Sequence, residues 1–378
     1  MNIEPRSILI VTNNYKPYSG GVVSSIDAFT RGLRELGHNV SIVTLDFTGR
    51  DQDEPGVYRI FCPIKFQYKK NSMAIPWRAT NELKGIIKQL KPDIVHSQHP
   101  FLLGISALTL CRKLDIPLIF THHTQYDQYS HYIPLPGSVV KPVINRCVQW
   151  YAQQVDVVIA PSHAIKKELD KRILGKSAYV IPSPISPMFF GSIVNKMVSR
   201  PFKLLTVSRF APEKNIESLL DTFAKLDQKN YSLTLVGYGA QLTSLKQHAY
   251  ITLGLSQKRV KFIVKPPKQK LIQLYRSSDL FIFASQTETQ GLVLAEAMAS
   301  GLPVIAFKSP ALEDIVDGTN GHLVTTQRQM IEYIEALTRD EQLYTKMRAR
   351  AYKTAERYSI DSLSRCLAAL YDRVMATS

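Results

Sequence analysis

The stretch Ser285-Gln-Thr-Glu-Thr-Gln-Gly-Leu-Val-Leu-Ala-Glu-Ala-Met-Ala-Ser-Gly-Leu-Pro-Val-Ile-Ala306 predicts a strand end, a polar loop, a short helix and the next strand. The apolar run 280–284 before it is short and rich in Phe and Ile, which is typical of a buried parallel strand. After the loop, apolar and small residues recur at helical spacing until Gly301-Leu-Pro303 ends the helix. The sequence therefore predicts an α/β fold in which this helix begins near Gly291.

The predicted helix start at Gly291 is a candidate anion site, because unpaired N–H groups and the positive dipole end face the ligand there. Glu288 lies in the loop, and Glu296 follows eight residues later, inside the helix. Carboxylates accept paired hydrogen bonds from hydroxyl groups, so this pair suits the sugar and the ribose of a nucleotide sugar. Two solvated glutamates beside an ordinary loop fit the spacing equally well.

Length and composition set the domain count and the compartment. A chain of 378 residues exceeds the usual size of one core, so we expect two domains of similar size. No segment approaches the ~20 unbroken apolar residues of a spanning helix, and residues 1–7 do not resemble a secretory signal, which predicts a cytoplasmic protein. The cysteines lack zinc-site spacing and are expected to be buried reduced thiols; they are Cys62, Cys111, Cys147 and Cys366.

The net charge of +16 leans toward the first half of the chain, with +10 before residue 200 and +6 after it. Such a balance favours anionic partners, which could be nucleic acid, an anionic bilayer or phosphorylated substrates. Residues 59–78 mix cations with aromatic side chains, as membrane-interface anchors do. A solvated edge or the flank of a core helix would have the same composition. The candidate membrane and acceptor residues are Lys65, Phe66, Lys69, Lys70, Trp77 and Arg78.

The first half predicts a βαβ unit with a glycine-rich loop. An aliphatic strand over 7–12 leads to Gly20-Gly21 and a helix, so a diphosphate could lie against backbone N–H groups at the two glycines. A tight turn that needs glycine is the alternative. Asp51-Gln-Asp53 imitates a metal-binding pair, but its Pro and Gly neighbours favour a solvated turn, and we predict no metal site.

A later strand, 117–121, ends in the adjacent histidines His122 and His123, followed by an aromatic and polar loop. A histidine there could position a phosphate-sugar or shuttle a proton, whereas a buried structural histidine would only donate to a neighbouring carbonyl. The carboxyl end of a parallel strand favours the functional interpretation of His123.

The second half repeats the alternation of strands and helices. Arg209 and Lys214 bracket a short loop between strand and helix, where two cations would neutralise a diphosphate. Gly237-Tyr-Gly239 follows the next strand and is too short for a dinucleotide fingerprint. We count Gly237, and Lys265 after the following strand, among the donor-binding candidates. The predicted divisions are 1–186, a linker over 187–201, a second domain over 202–358, and a final helix over 359–378 that packs toward the first domain.

Three of these features together resemble the retaining glycosyltransferases of family 4, which have the GT-B architecture of two facing Rossmann-like domains and a cleft between them. The features are Gly20-Gly21, Arg209 with Lys214, and Glu288-x7-Glu296 followed by Ala-Met-Ala-Ser-Gly-Leu-Pro-Val. Residues 287–292 and 123–126 are similar to bacterial diacylglycerol glucosyltransferases. The resemblance covers nearly the whole chain.

The resemblance implies a role for each matching residue. Arg209 and Lys214 would hold the donor diphosphate, Glu288 would bind sugar hydroxyls, and His123 would lie at the reacting sugar; these four form the predicted catalytic set. Glu296 would bind ribose. The remaining donor contacts would come from Gly20, Gly21, Gly237, Lys265, Gln290, Gly291 and Leu292.

The function that the resemblance implies is retaining transfer of glucose from UDP-glucose to diacylglycerol, without a cofactor or bound metal. Such an enzyme would lie in the cytoplasm on the inner face of the cell membrane. Transfer to a soluble sugar or protein is the main alternative, and a hydrolysing sugar-nucleotide epimerase is another. A nucleic-acid-binding protein would explain the charge but not the paired carboxylates, so we predict no nucleic-acid partner.

Overall fold

The computed structural model describes residues 4–18, 20–47, 54–68, 71–123, 137–173, 175–191 and 200–377. The chain forms two compact units. The first comprises Met1–Pro184 with Ile360–Ser378, and the second comprises Ile185–Ser359. Each unit has its own parallel sheet, so the fold class matches the α/β prediction.

The first unit contains a seven-stranded parallel sheet in the order β3-β2-β1-β6-β7-β8-β9. Its central strands are buried because helices cover both faces; Ile8 to Val11 in β1, for example, are at most 2% exposed. The strands are β1 Ser7–Val11, β2 Asn39–Leu45, β3 Val57–Ile60, β6 Ile94–Ser97, β7 Leu118–Thr121, β8 Val157–Ala160 and β9 Tyr179–Val180. The helices are α1 Gly21–Glu35, α2 Ala79–Leu90, α3 Leu103–Leu114, α4 Gly137–Gln154, α5 His163–Asp170 and α12 Ile360–Met375.

The helix α12 packs against α1 although more than 300 residues separate them. The approach is close at Gly32, where a Cβ atom would lie 2.1 Å from Ser364 Oγ. Glycine is therefore required at residue 32 for the two helices to meet.

The segment 59–78 was expected to be an anchor or an edge, and its secondary structure was not predicted. It contains the end of β3 and a separate antiparallel hairpin, β4 Ile64–Tyr68 and β5 Asn71–Ile75. Ile64 lies opposite Ile75, and Phe66 lies opposite Met73. Directly opposed residues share a face of a hairpin, so these four apolar side chains lie on one face.

The second unit contains a six-stranded parallel sheet in the order β12-β11-β10-β13-β14-β15. Its strands are β10 Phe202–Arg209, β11 Tyr231–Tyr238, β12 Val260–Val264, β13 Leu280–Phe283, β14 Val304–Phe307 and β15 Gly321–Val324. Its helices are α6 Ile216–Ala224, α7 Leu242–Gln247, α8 Lys268–Ser277, α9 Leu292–Ala299, α10 Gln327–Arg339 and α11 Glu341–Glu356.

Each sheet has one point where the chain reverses the direction in which it adds strands. In the first unit this point lies between β1 and β6, and in the second it lies between β10 and β13. A crevice opens at the carboxyl ends of the two strands at such a point, because their following loops run to opposite sides of the sheet. The topology thus marks one candidate ligand position in each unit.

The four cysteines differ in their exposure to solvent. Cys62 and Cys111 are buried free thiols as expected, but Cys147 and Cys366 are free and exposed, so the prediction of four buried thiols is wrong. Both exposed cysteines lie on helices, where sequence spacing alone does not reveal which face meets solvent.

Within the described residues, no helix is both long enough and apolar enough to cross a bilayer.

Candidate active site

The crevice of the second unit is built from the loops that follow β10 and β13. These strands are neighbours, with Leu204 paired to Leu280. The end of β10 supplies Arg209 and the turn after it supplies Lys214, whereas the chain after β13 supplies Ser285 and Glu288. Sheet topology therefore brings together the cations and the carboxylate loop that the sequence separates by more than 70 residues.

Lys214 lies in a short 3₁₀ turn after β10 and points into the carboxylate loop. Its Nζ is 2.5 Å from Glu288 Oε1 and 3.3 Å from Ser285 Oγ. The Lys214 and Glu288 side chains are only 12% and 17% exposed. A charged pair that is so enclosed keeps both side chains in fixed positions. Lys214 is therefore held where its ammonium group and the Glu288 carboxylate face the same small volume.

Arg209, the other predicted cation, is arranged differently. Its Nη2 is 3.1 Å from Glu213 Oε1, and the side chain is 63% exposed. The Glu213 carbonyl oxygen in turn accepts a hydrogen bond from Ser285 Oγ at 3.5 Å. Arg209 thus lies at the open side of the loop, whereas Lys214 lies at its enclosed side.

Gly291 precedes α9 in the left-handed conformation, with φ 67°. A Cβ atom there would lie 2.4 Å from Leu312 Cδ2, so both backbone conformation and packing require glycine. The first turn of α9 contains no acidic side chain, and its amino end directly follows Glu288 and Gln290. This helix start has the unpaired N–H groups that attract an anion.

Glu296 lies on α9, half-buried, and accepts a hydrogen bond from the Tyr275 hydroxyl at 3.0 Å. Burial raises the pKa of Glu296 to about 7, although the Tyr275 hydrogen bond and Lys268 act in the opposite direction. Tyr275, on α8, is fully buried and packs edge-to-face on Phe189 at 5.4 Å. The sequence analysis missed Tyr275, because its contact with Glu296 depends on how α8 packs.

Two further donor candidates are Gly237, near the end of β11, and Lys265, which follows β12. Gly237 has a packing reason to be glycine, since a Cβ atom there would lie 1.8 Å from the Ser208 carbonyl oxygen. Lys265 has φ 44°, and its Nζ lies 4.8 Å from the centre of the Tyr238 ring. Tyr238 is exposed. The lysine and the tyrosine therefore form an exposed cation–π pair at the same edge of the sheet as Arg209.

In the first unit, Gly20 and Gly21 follow β1 and begin α1. Gly20 is extended, and a Cβ atom on Gly21 would meet no atom of the described residues within 4 Å. Neither backbone conformation nor packing within this unit explains glycine at residue 21. A side chain there would instead occupy open space in front of the helix start.

The crevice between β1 and β6 in this unit is lined by histidine and amide side chains. His123, which follows β7, has Nε2 2.6 Å from Gln98 Oε1. His99, which follows β6, has Nδ1 3.2 Å from the Asn13 backbone nitrogen. Asn13, Gln98 and His99 were not among the predicted residues. Their position after the two strands at the reversal point is the signal that could have found them.

The imidazoles in this region are uncharged at neutral pH, because burial disfavours the protonated form. Burial lowers the pKa of His96 to about 3 and those of His99 and His122 to about 4. Burial, followed by the proximity of the other imidazoles, also lowers the pKa of His123 well below its usual value. His96 is a structural residue, with Nδ1 2.7 Å from the Tyr371 hydroxyl of α12 and Nε2 2.7 Å from Thr121 Oγ1.

Comparison with known proteins is consistent with this geometry. Residues 19–188 match the family described as Glycosyltransferase Family 4, and residues 193–354 match Glycosyl transferases group 1. The alpha-monoglucosyldiacylglycerol synthase of Streptococcus pneumoniae is 32% identical over 327 residues, which cover 81% of this chain and 72% of the relative. The chain belongs to glycosyltransferase family 4.

Other members of family 4 and its structural neighbours extend the match. The alpha-monoglucosyldiacylglycerol synthase of Acholeplasma laidlawii is 26% identical over 403 residues, covering 96% of each chain. Anabaena HepE, solved in complex with UDP, superimposes with a TM-score of 0.77 at 19% identity, over 97% of this chain and 100% of that one. This protein is therefore a glycosyltransferase with the GT-B fold, which confirms the predicted family and fold.

The predicted membrane residues of this family 4 enzyme that the structure describes lie on or beside the hairpin β4–β5. Lys65 is paired with Asp46, its Nζ lying 2.6 Å from Asp46 Oδ2, and Ala74 opposite it is buried in the core. The other face is outward, and its four side chains are each 40–49% exposed; they are Ile64, Phe66, Met73 and Ile75. The hairpin thus packs Ala74 against the unit and turns its apolar face toward solvent, and Trp77 next to it is also exposed.

Several predictions for this glycosyltransferase fall outside the described residues. They concern Lys69, Lys70, the Asp51–Asp53 pair and the loop 124–136 after His123. In the part of the chain that is described, no group of three or more His, Cys, Asp or Glu side chains is arranged to hold a metal ion.

Proposed function

We propose that this glycosyltransferase moves glucose from UDP-glucose to a lipid acceptor such as diacylglycerol, with retention of configuration, at the cytoplasmic face of an anionic membrane. The observation that carries the proposal is the enclosed Lys214–Glu288 pair beside the amino end of α9. Two relatives whose names specify alpha-monoglucosyldiacylglycerol synthesis support the choice of acceptor.

The donor is assigned to the second unit. Breaking the bond between sugar and diphosphate places negative charge on the leaving phosphate, so a fixed cation and helix N–H groups that face it lower the barrier most. Lys214 and the α9 amino end would serve in that role, with Arg209 at the open side. Glu288 would accept hydrogen bonds from the sugar, and Glu296 from the ribose. The UDP and UDP-glucose complexes of Anabaena HepE support a uridine donor.

Retention is supported by stereochemistry. The glucose of UDP-glucose is α-linked, and the names of the relatives specify an alpha product. The same configuration before and after transfer requires either two displacements or attack from the face that the leaving group occupies. We infer same-face attack, in which a phosphate oxygen of the departing UDP accepts the proton of the acceptor hydroxyl. Lys214 and the helix terminus neutralise the phosphate in this scheme, so no metal ion is required.

We assign the contact with the membrane to the first unit. The outward apolar face of the hairpin, together with Trp77 and Arg78, would lie at the headgroup level of an anionic bilayer. Lys69 and Lys70 retain the role predicted from the sequence. Lys65 does not extend toward the bilayer, because it is bound to Asp46.

The deciding experiment incubates the purified enzyme with a panel of nucleotide sugars and either diacylglycerol in anionic vesicles or soluble sugars. Mass spectrometry of the products, with proton NMR of the anomeric centre, identifies donor, acceptor and linkage. We expect an α-glucosyl lipid from UDP-glucose. A soluble glycoside without any glycolipid would refute the lipid acceptor, and a β linkage would refute retention.

A further inference from the structure

We propose that His99 binds the acceptor, donating a hydrogen bond from Nε2–H to an uncharged hydroxyl group, and that this crevice selects alcohols over phosphate-bearing acceptors. The proposal rests on the proposed function in one respect, namely that the acceptor hydroxyl binds in the first unit at the β1–β6 reversal point. Two histidines of the crevice carry the proposal. His99 accepts a hydrogen bond from the Asn13 N–H just after β1, and His123 is bound to Gln98, the residue before His99.

The hydrogen bonds of His99 fix its tautomer. The Asn13 backbone N–H can only donate, and it points at His99 Nδ1 at 3.2 Å. Nδ1 must therefore have a free lone pair, and a neutral imidazole then has its proton on Nε2. Thr12 Oγ1 lies 3.3 Å from the same Nδ1. No described residue forms a hydrogen bond with His99 Nε2, so this N–H is available to a ligand.

The backbone around His99 is also fixed. Ser97 Oγ donates to the His99 carbonyl oxygen at 2.8 Å. A Cβ atom on Gly104 would lie 2.0 Å from that oxygen, so α3 packs directly against this peptide. Asn13 Nδ2 donates to the Phe101 carbonyl oxygen at 3.0 Å, which ties β1 to the same loop. A donor held in this way loses little conformational entropy when it binds a ligand.

His123 supplies the complementary group. With Nε2–H donating to Gln98 Oε1 at 2.6 Å, the lone pair of the neutral ring lies on Nδ1. His99 thus offers a donor and His123 an acceptor. Hydroxyl groups both accept and donate, so an acceptor that bears them suits a crevice that offers imidazoles of both kinds. Gln98 maintains the tautomer of His123 as Asn13 maintains that of His99.

The charge of the crevice argues for an uncharged ligand. The groups that contact the two imidazoles within the described residues are hydroxyl, amide and backbone groups. Lys16, the cation nearest in sequence to Asn13, is already paired, since its Nζ lies 3.0 Å from both Asp27 and Glu54. A phosphate bound against the two imidazoles would meet no charged side chain among the groups that they contact, which is unfavourable. A neutral alcohol loses only hydrogen bonds that the imidazoles replace.

The test compares two substitutions at His99. The variant His99→Asn keeps an oxygen that can accept from the Asn13 N–H but no longer reaches the ligand, whereas His99→Gln extends an amide N–H toward the position of Nε2. One lost neutral hydrogen bond corresponds to roughly a tenfold change. We expect His99→Asn to raise the KM for diacylglycerol about tenfold at unchanged KM for the donor, and His99→Gln to recover most of the loss.

A matched control comes from the same unit. His38 Nδ1 accepts from the Arg6 backbone N–H at 3.2 Å, which is the same interaction at the amino end of the sheet. His38→Asn should therefore leave the acceptor KM unchanged. Circular dichroism melts of all three variants measure any loss of folded protein. Equal effects of His38→Asn and His99→Asn, or a loss in kcat without a change in acceptor KM, would overturn the role of His99.

The selectivity arm offers diacylglycerol and phosphatidylglycerol, which has free hydroxyl groups beside a charged phosphate, in identical neutral-detergent micelles. We expect transfer to the free hydroxyl of diacylglycerol, and preference for the phosphate-bearing lipid would overturn the uncharged-acceptor inference. If the enzyme glycosylates only a soluble sugar, the lipid proposal fails but this inference does not. The same three variants are then compared with that sugar and its phosphate ester, where His99→Asn must still raise the KM of the uncharged form.

Discussion

Replacing Glu296 with glutamine should stabilise the second unit at alkaline pH while it impairs transfer. Glutamine has the same shape and keeps an oxygen for the Tyr275 hydroxyl, which now lies 3.0 Å from the carboxylate. The substitution therefore removes the charge and little else. It separates the cost of a buried carboxylate from the contribution of its packing.

The size of the effect follows from the raised pKa of Glu296. Each pKa unit corresponds to about 1.4 kcal/mol, so a rise from 4.5 to about 7 makes the ionised group unfavourable by about 3 kcal/mol in the folded state. Below pH 4.5 the carboxyl group is protonated in both states. As the pH rises toward 7, the unfolded chain loses this proton first, and the free energy of unfolding falls. The glutamine variant does not ionise, so its free energy of unfolding does not fall in this way.

Urea unfolding of parent and Glu296→Gln enzyme at pH 4.5, 6 and 8 measures the difference, with transfer activity assayed on the same preparations. We expect similar stability at the lowest pH and an advantage of about 2–3 kcal/mol for the variant at pH 8. The exposed Glu217 on α6 provides the control, and Glu217→Gln should match the parent throughout. A stability gap that does not change with pH, or a less stable variant at pH 8, would refute burial as the cause of the raised pKa.

Three other predictions concern the donor, metal ions and the membrane. Lys214→Ala should lower kcat about 10²–10³-fold, whereas Lys308→Ala, which breaks a surface ion pair with Glu313, should not; equal activities would remove Lys214 from the donor site. A chelator should leave transfer intact, and loss of activity restored by Mn²⁺ would contradict a metal-free mechanism. In co-sedimentation with anionic vesicles, Phe66→Ser should reduce binding more than Lys65→Gln, because Lys65 is bound to Asp46; the reverse order would restore Lys65 as a membrane contact.

Part of the second unit could be predicted from the sequence because β13 and β14 are buried on both faces and α9 ends just before Gly301 and Pro303. The strand predicted over 280–284 agrees with β13, and the helix expected near Gly291 begins at Leu292. These elements depend on local patterns. The clustering of Lys214 with Glu288 was also foreseeable, since both follow strands that meet at a reversal point.

Other features depend on contacts between distant parts of the chain. Lys65 appeared to be a membrane cation, but its orientation is decided by Asp46, 19 residues earlier. The apolar alternation in β4 suggests a buried face, and only the packing of Ala74 against the core shows that this face is outward. Similarly, the partner of Glu296 is Tyr275, 21 residues away on another helix. No spacing rule within one element could reveal these pairs.

The contact between α12 and α1 has a consequence for biosynthesis. During translation, every residue of the second unit leaves the ribosome before α12 does, because Ile360 follows Ser359 at the unit boundary. The nascent first unit therefore lacks the helix that covers Gly32 and the Tyr371 hydroxyl that bonds His96. Its apolar surface at α1 therefore stays uncovered until α12 has been synthesised.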